Sequence, residues 1–80
     1  MPAVGVRRAA EAMALGASKY GENNWTLGMP VKFLLNHALA HIYTWLDGDR
    51  TEDHLGHAAA NLLMACHSVE KWPEINGKQT

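Results

Sequence analysis

The chain has a single cysteine, Cys66, among its 80 residues, so no disulfide can close within it. It lacks a basic excess: seven lysines and arginines face eight acidic residues, for a net charge of -1. That balance excludes the positively charged surface by which proteins hold DNA or RNA polymers. It lacks an apolar run long enough to span a bilayer, which excludes a helical membrane anchor. Arg7 and Arg8 lead into an amphipathic segment rather than a continuous apolar one, so no secretory leader is expected, and a cytoplasmic location follows. Alternating strand patterns, repeats and low-complexity tracts are absent. Charged residues make up only 19%, whereas apolar residues reach 48%. A chain this short buries a limited share of its surface, so that apolar excess predicts a homo-oligomer.

What is present is helical periodicity. Residues 3 to 19 read as a first helix, with Val6, Ala9, Ala10, Met13 and Ala17 on one stripe. A connection rich in Gly and Asn follows, running from Lys19 through Tyr20, Asn24 and Trp25 to Pro30. Pro30 suits the first turn of a second helix that runs to about Asp47. Leu34, Ala38, Ile42 and Trp45 form its expected core stripe, widened by Leu35, Leu39 and Leu46. Gly48 closes that helix. Thr51 is placed to cap a third, with Glu52 and Asp53 in its first turn, and Pro73 ends it after Lys71. On the third helix Leu55, Ala59, Leu62, Cys66 and Val69 are the expected core face. His54, His57, Asn61, Ala58 and Ala65 make the adjoining one. The expected fold is all-α, with three helices, the last two an antiparallel hairpin. Residues 1–72 form one domain and 73–80 a polar tail.

All five histidines lie between His37 and His67. His37 and His41 are spaced i,i+4, and His54 and His57 i,i+3, with Asn61 four residues on, so each set shares a helix face. The mundane reading of any one of them is a half-exposed packing residue. A transition-metal site from His37, His41 and His54 or His57 is a second reading, since imidazole suits zinc better than magnesium. A third is a phosphate or base site, with imidazoles as donors near a helix start. Trp25 is either a lid on a small core or, with Tyr20, a stacking surface for a base, with Lys19 beside it for a phosphate.

The run from Gly16 to Trp25 (GASKYGENNW), with Gly28, the helix ending Trp45-Leu46-Asp47-Gly48-Asp49, and His54-Leu55-Gly56-His57-Ala58-Ala59-Ala60-Asn61, resembles the N-terminal domain of the phage-associated dATP/dGTP diphosphohydrolases. The resemblance covers roughly Ala9 to His67. It implies an all-α domain akin to the MazG-like pyrophosphohydrolases, which cleave nucleoside triphosphates to monophosphate and pyrophosphate with a divalent metal and commonly act as oligomers. Those enzymes carry E-x-x-E on one helix and E-x-x-D on the next. This chain has no E-x-x-E, and its corresponding faces carry His37, His41, His54, His57 and Asn61.

Two functions follow as expectations. One is a metal-dependent dATP/dGTP diphosphohydrolase. Its catalytic residues would be His57 and Asp53, its Mg²⁺ or Mn²⁺ would sit on Asp49 and Asp53, and its ligand contacts would come from Lys19, Tyr20, Asn24, Trp25, His41, His54, His57 and Asn61. The other is a non-catalytic oligomer that sequesters a purine nucleotide or cyclic nucleotide signal in a phage-infected bacterial cell. Neither reading calls for a DNA or RNA polymer or a membrane as partner.

Overall fold

The structure, a computed structural model, describes residues 1–20 and 30–73, with the backbone alone at 17–20. The expected contacts of Lys19, Tyr20, Asn24 and Trp25, and the polar tail beyond 73, lie outside the described side chains. The described residues form three helices, α1 (Ala3–Tyr20), α2 (Val31–Leu46) and α3 (His54–Lys71). α3 is the central element, packing against α2 as an antiparallel hairpin and against α1 on another side.

The α2–α3 turn follows from Gly48. Its φ of 99° is a left-handed conformation that glycine adopts without strain. The Gly48 N–H donates to the Trp45 carbonyl and the Asp49 N–H to that of Thr44, which together close α2 as a Schellman motif. Arg50 adds to this end. Its guanidinium lies 4.0 Å from the Trp45 ring centre and donates to the Trp45 carbonyl at 2.7 Å.

Two expectations about α3 are corrected. The cap is Asp53 rather than Thr51: the Asp53 carboxylate accepts from the Gly56 N–H at 3.0 Å, while the Thr51 hydroxyl donates to Asp49 Oδ2 at 2.8 Å. Asp is among the strongest N-cap residues, and Gly56 gives it room. A Cβ at Gly56 would collide with the Asp53 carboxylate and come within 3.1 Å of the Arg8 carbonyl.

The buried face is the second correction. α3 buries His54, Gly56, Ala58, Ala60, Asn61, Ala65 and Ser68, whereas Leu55, Leu62, Leu63 and Cys66 are exposed. A helix held between two others must bury two faces. His54 meets His41 of α2, and Ala60 joins Ala9 and Ala12 of α1, with Met13, Ala59 and Met64 packed around them. Small side chains let three helices approach closely, so the alanine stripes are buried and the larger leucines are left outside. On α2 the same holds: Leu34 and Ala38 are buried, Ile42 and Trp45 half-buried, and Leu35, Leu39 and Leu46 exposed. On α1, Ala9 is buried together with Ala12, Met13 is half-buried, and Val6 and Ala10 are exposed. Among the described residues, the buried apolar side chains other than Leu34 are alanines, which remove little apolar area each.

Candidate functional site

The start of α3 gathers three of the five histidines, His41, His54 and His57. Asp53 ends the turn and sets the first helical residue at His54, so His54 and His57 face the C-terminal half of α2, where His41 sits. His41 Nδ1 and His54 Nδ1 are 2.9 Å apart. His57 stacks on His41, with ring centres 5.0 Å apart and planes 14° from parallel. The His54 ring lies 5.2 Å from that of His41. His54 itself is buried, at 5% exposure.

Carboxylates complete the cluster. Asp49 Oδ2 accepts from His54 Nε2 at 2.5 Å. Since His54 Nε2 carries that hydrogen, the neutral ring has its lone pair on Nδ1, and His41 Nδ1–H must be the donor across the 2.9 Å contact. The chain Asp49–His54–His41 therefore fixes two tautomers and leaves the lone pair of His41 on Nε2. Glu52 Oε1 lies 3.9 Å from His41 Nδ1 and 3.8 Å from His57 Nε2. A ring nitrogen of His41, one of His57 and an oxygen of Glu52 all lie within 4.8 Å of one another.

The charges are consistent with that network. Burial pushes the His41 pKa below its ordinary 6.5, and the neighbouring His57 ring adds to this, partly offset by Glu52. The hydrogen bond from His54, reinforced by Thr51, holds Asp49 below the usual carboxylate range. Asp53 belongs to a separate pair. Arg8 Nε–H donates to its Oδ2 at 2.9 Å, a second guanidinium nitrogen donates to Oδ1, and the fork holds the Asp53 pKa down to about 2. The same pair raises the Arg8 pKa and ties α1 to the first turn of α3.

The structure thus brings together His41, His54, His57 and Asp49 from the expected set. Asn61 is buried behind them, its amide donating to the His57 carbonyl at 2.8 Å. Asp53 faces Arg8 and is not part of the three-residue ligand group. His37 is exposed, and His67 pairs instead with Trp72 at 5.8 Å between ring centres. Glu52 is the residue that sequence reasoning missed. Taken as part of the first turn, it had only a dipole role. With Asp53 as the cap it precedes the helix and faces His57. The D-x-x-G spacing of Asp53 and Gly56 was the signal for this.

Among the described residues, the donor set does not suit Mg²⁺ or Mn²⁺, which favour carboxylate, carbonyl and water oxygens. Both oxygens of Asp53 are taken up by Arg8, one of them also by the Gly56 N–H, and Asp49 Oδ2 by His54 and Thr51. What converges is imidazole with one carboxylate.

The family model described as dATP/dGTP diphosphohydrolase, N-terminal, matches residues 1–78. No curated protein and no solved structure matches the chain. No helix among the described residues is long and apolar enough to cross a membrane.

Proposed function

The chain belongs to the dATP/dGTP diphosphohydrolase N-terminal family, and from this we propose that it binds purine deoxynucleoside triphosphates and hydrolyses them to monophosphate and pyrophosphate. The family match across residues 1–78 is the observation that carries the reading. In this proposal a water oxygen attacks the α-phosphorus, the bond to the bridging oxygen breaks, and pyrophosphate leaves. His57, beside Glu52, takes the proton from the water. His41 faces the phosphate side near the start of α3, where the helix dipole favours negative charge, with the buried His54 behind it on Asp49. Asp53, kept ionised by Arg8, fixes where that helix begins. Lys19 and Tyr20 at the end of α1, with Asn24 and Trp25 beyond it, supply the base and phosphate contacts in this proposal.

The proposal includes a homo-oligomer. Phe33, Leu35, Leu39, Tyr43 and Leu46 on α2 and Leu55, Leu62 and Leu63 on α3 are exposed in the single chain. Apolar surface on this scale is characteristic of subunit contacts.

A second reading is a binder without chemistry that sequesters a nucleotide or cyclic nucleotide signal, as a phage protein would against a host defence. Engagement of both Asp53 oxygens by Arg8 favours it, because that carboxylate is then not available as a base. Incubation of the purified chain with a nucleotide panel and Mg²⁺, Mn²⁺ or Zn²⁺, followed by chromatography, separates the two. The hydrolase reading expects dATP or dGTP to give monophosphate and pyrophosphate. Intact ligand recovered from heat-denatured protein, with no turnover under any metal, replaces it with the binder.

A further inference from the structure

We propose that His41, His57 and Glu52 form a binding site for a divalent transition cation of the zinc class, with Asp49 and His54 as the pair that orients His41. The inference concerns the cluster described above but does not rest on turnover or on nucleotide affinity; in the metal-loaded chain His57 is a ligand, and its role as base belongs to the metal-free chain.

Three observations carry it. First, two imidazole nitrogens and a carboxylate oxygen from two helices and the turn between them lie within 4.8 Å of one another. Tetrahedral zinc, with bonds of about 2.0–2.1 Å, needs its ligand atoms about 3.3 Å apart. Glu52 Oε1 is already 3.8 Å from His57 Nε2, and its half-exposed side chain can rotate toward the lone pair that His41 carries on Nε2. Second, the His41 and His57 rings are adjacent, with centres 5.0 Å apart, and His57 is only half-buried, so its ring can swing out of the stack to bring its lone pair round to a shared cation. Third, His41 has the support that metal-ligating histidines almost always have, a partner for the other ring nitrogen. Its Nδ1 meets His54 Nδ1 at 2.9 Å, and His54 is anchored on Asp49. A histidine that only filled space would not need a buried imidazole and a carboxylate arranged in series behind it.

The chemistry of the donors selects the cation. Two imidazoles and one carboxylate are a set used by zinc and by other transition metals, with positions left for water or substrate. The set is unlike the oxygen shell of Mg²⁺ or Ca²⁺. Glu52 stands at the solvent edge, so the open positions of the cation would face outward.

The test is titration of the chelator-stripped full chain with Co²⁺, read by its visible d–d absorption, then displacement by Zn²⁺, with no nucleotide present. Saturable binding of one cation per chain is expected, with Zn²⁺ displacing Co²⁺. Glu52→Gln and His57→Ala should each weaken binding at least tenfold. Asp49→Asn should weaken it about 10–100-fold, as loss of an orienting partner does. His37→Ala, Cys66→Ser and Glu11→Gln should leave it unchanged. Circular dichroism reports folding of each variant. Should His57→Ala unfold, the half-exposed Glu52→Gln variant decides alone. The proposal is overturned if binding is not saturable, if Glu52→Gln leaves the affinity intact, or if affinity follows His37 or Cys66 instead.

Discussion

His41 and His54 face each other through their Nδ1 atoms at 2.9 Å, and in the neutral pair only one of them can carry the hydrogen. Asp49 decides which. By accepting from His54 Nε2 it places the lone pair of His54 on Nδ1 and makes His41 the donor. Two helices and the turn between them are thereby joined through one proton arrangement.

Long-range ¹H–¹⁵N spectra above the histidine titration range should therefore show His54 as the Nε2–H tautomer and His41 as the Nδ1–H tautomer. Asp49→Ala should mix both populations. A His41 ring in the Nε2–H form in the intact protein would refute the arrangement.

Stability should fall on mild acidification. The folded-state pKa of His41 is depressed below 6.5, so between the two values the unfolded chain binds more protons than the folded one. Stability is then complete above the ordinary histidine pKa and declines as pH drops through it toward the depressed folded value. Urea midpoints measured across that window should show the slope, and His41→Gln should flatten it.

A second acid-sensitive step belongs to Arg8 and Asp53. The Asp53 pKa is about 2 when folded against an ordinary 3.8, so its contribution is fully present above the ordinary value and lost as pH falls toward about 2. Asp53→Asn should remove this limb of the acid-unfolding curve. Gly56→Ala should destabilise the protein as well, because the added methyl displaces the Asp53 carboxylate and crowds the Arg8 carbonyl. Circular dichroism against pH checks both.

The exposed leucines and the buried alanines should respond oppositely to substitution. Leu62 is 44% exposed, so Leu62→Ala leaves no internal cavity within the chain. Leu55→Glu with Leu62→Glu should shift light-scattering mass toward the monomer while helical content persists at high protein concentration. Ala60→Leu, at a site 3% exposed against Ala9 and Ala12, should overpack the α1–α3 contact and cost about 1–3 kcal/mol in urea unfolding.

Nucleotide handling should depend on the start of α3. His57→Ala is expected to reduce affinity or turnover at least tenfold, about 1.4 kcal/mol. Equilibrium binding and product chromatography measure it, and full retention of both would remove His57 from the proposed site.

Three helices, their approximate limits and the hairpin of the last two were legible in the sequence, because periodicity, Pro30, Gly48 and Pro73 act within a few residues of where they stand. The GASKYGENNW run and the helix from His54 to Asn61 were enough to indicate the family. The histidines were legible as a feature for the same reason: i,i+3 and i,i+4 spacings are a property of one helix.

The tertiary structure decided which faces are inside and which residues meet. Leucines on one helical stripe read as core until a third helix makes close approach more favourable than bulk. α3 then buries Ala58, Ala60 and Ala65, with His54 and Asn61, and turns Leu55 and Leu62 outward. Sequence pattern shows that a stripe is apolar. It does not show whether a neighbour in the chain or another surface covers it. The cluster was beyond sequence for a related reason. His41 and His57 are brought into contact by the hairpin, Glu52 joins them because the helix begins two residues after it, and Asp49 meets His54 across the turn. The meeting of His41 with His54 and His57 is a distance between elements, which the packing of α2 on α3 sets and no local spacing encodes.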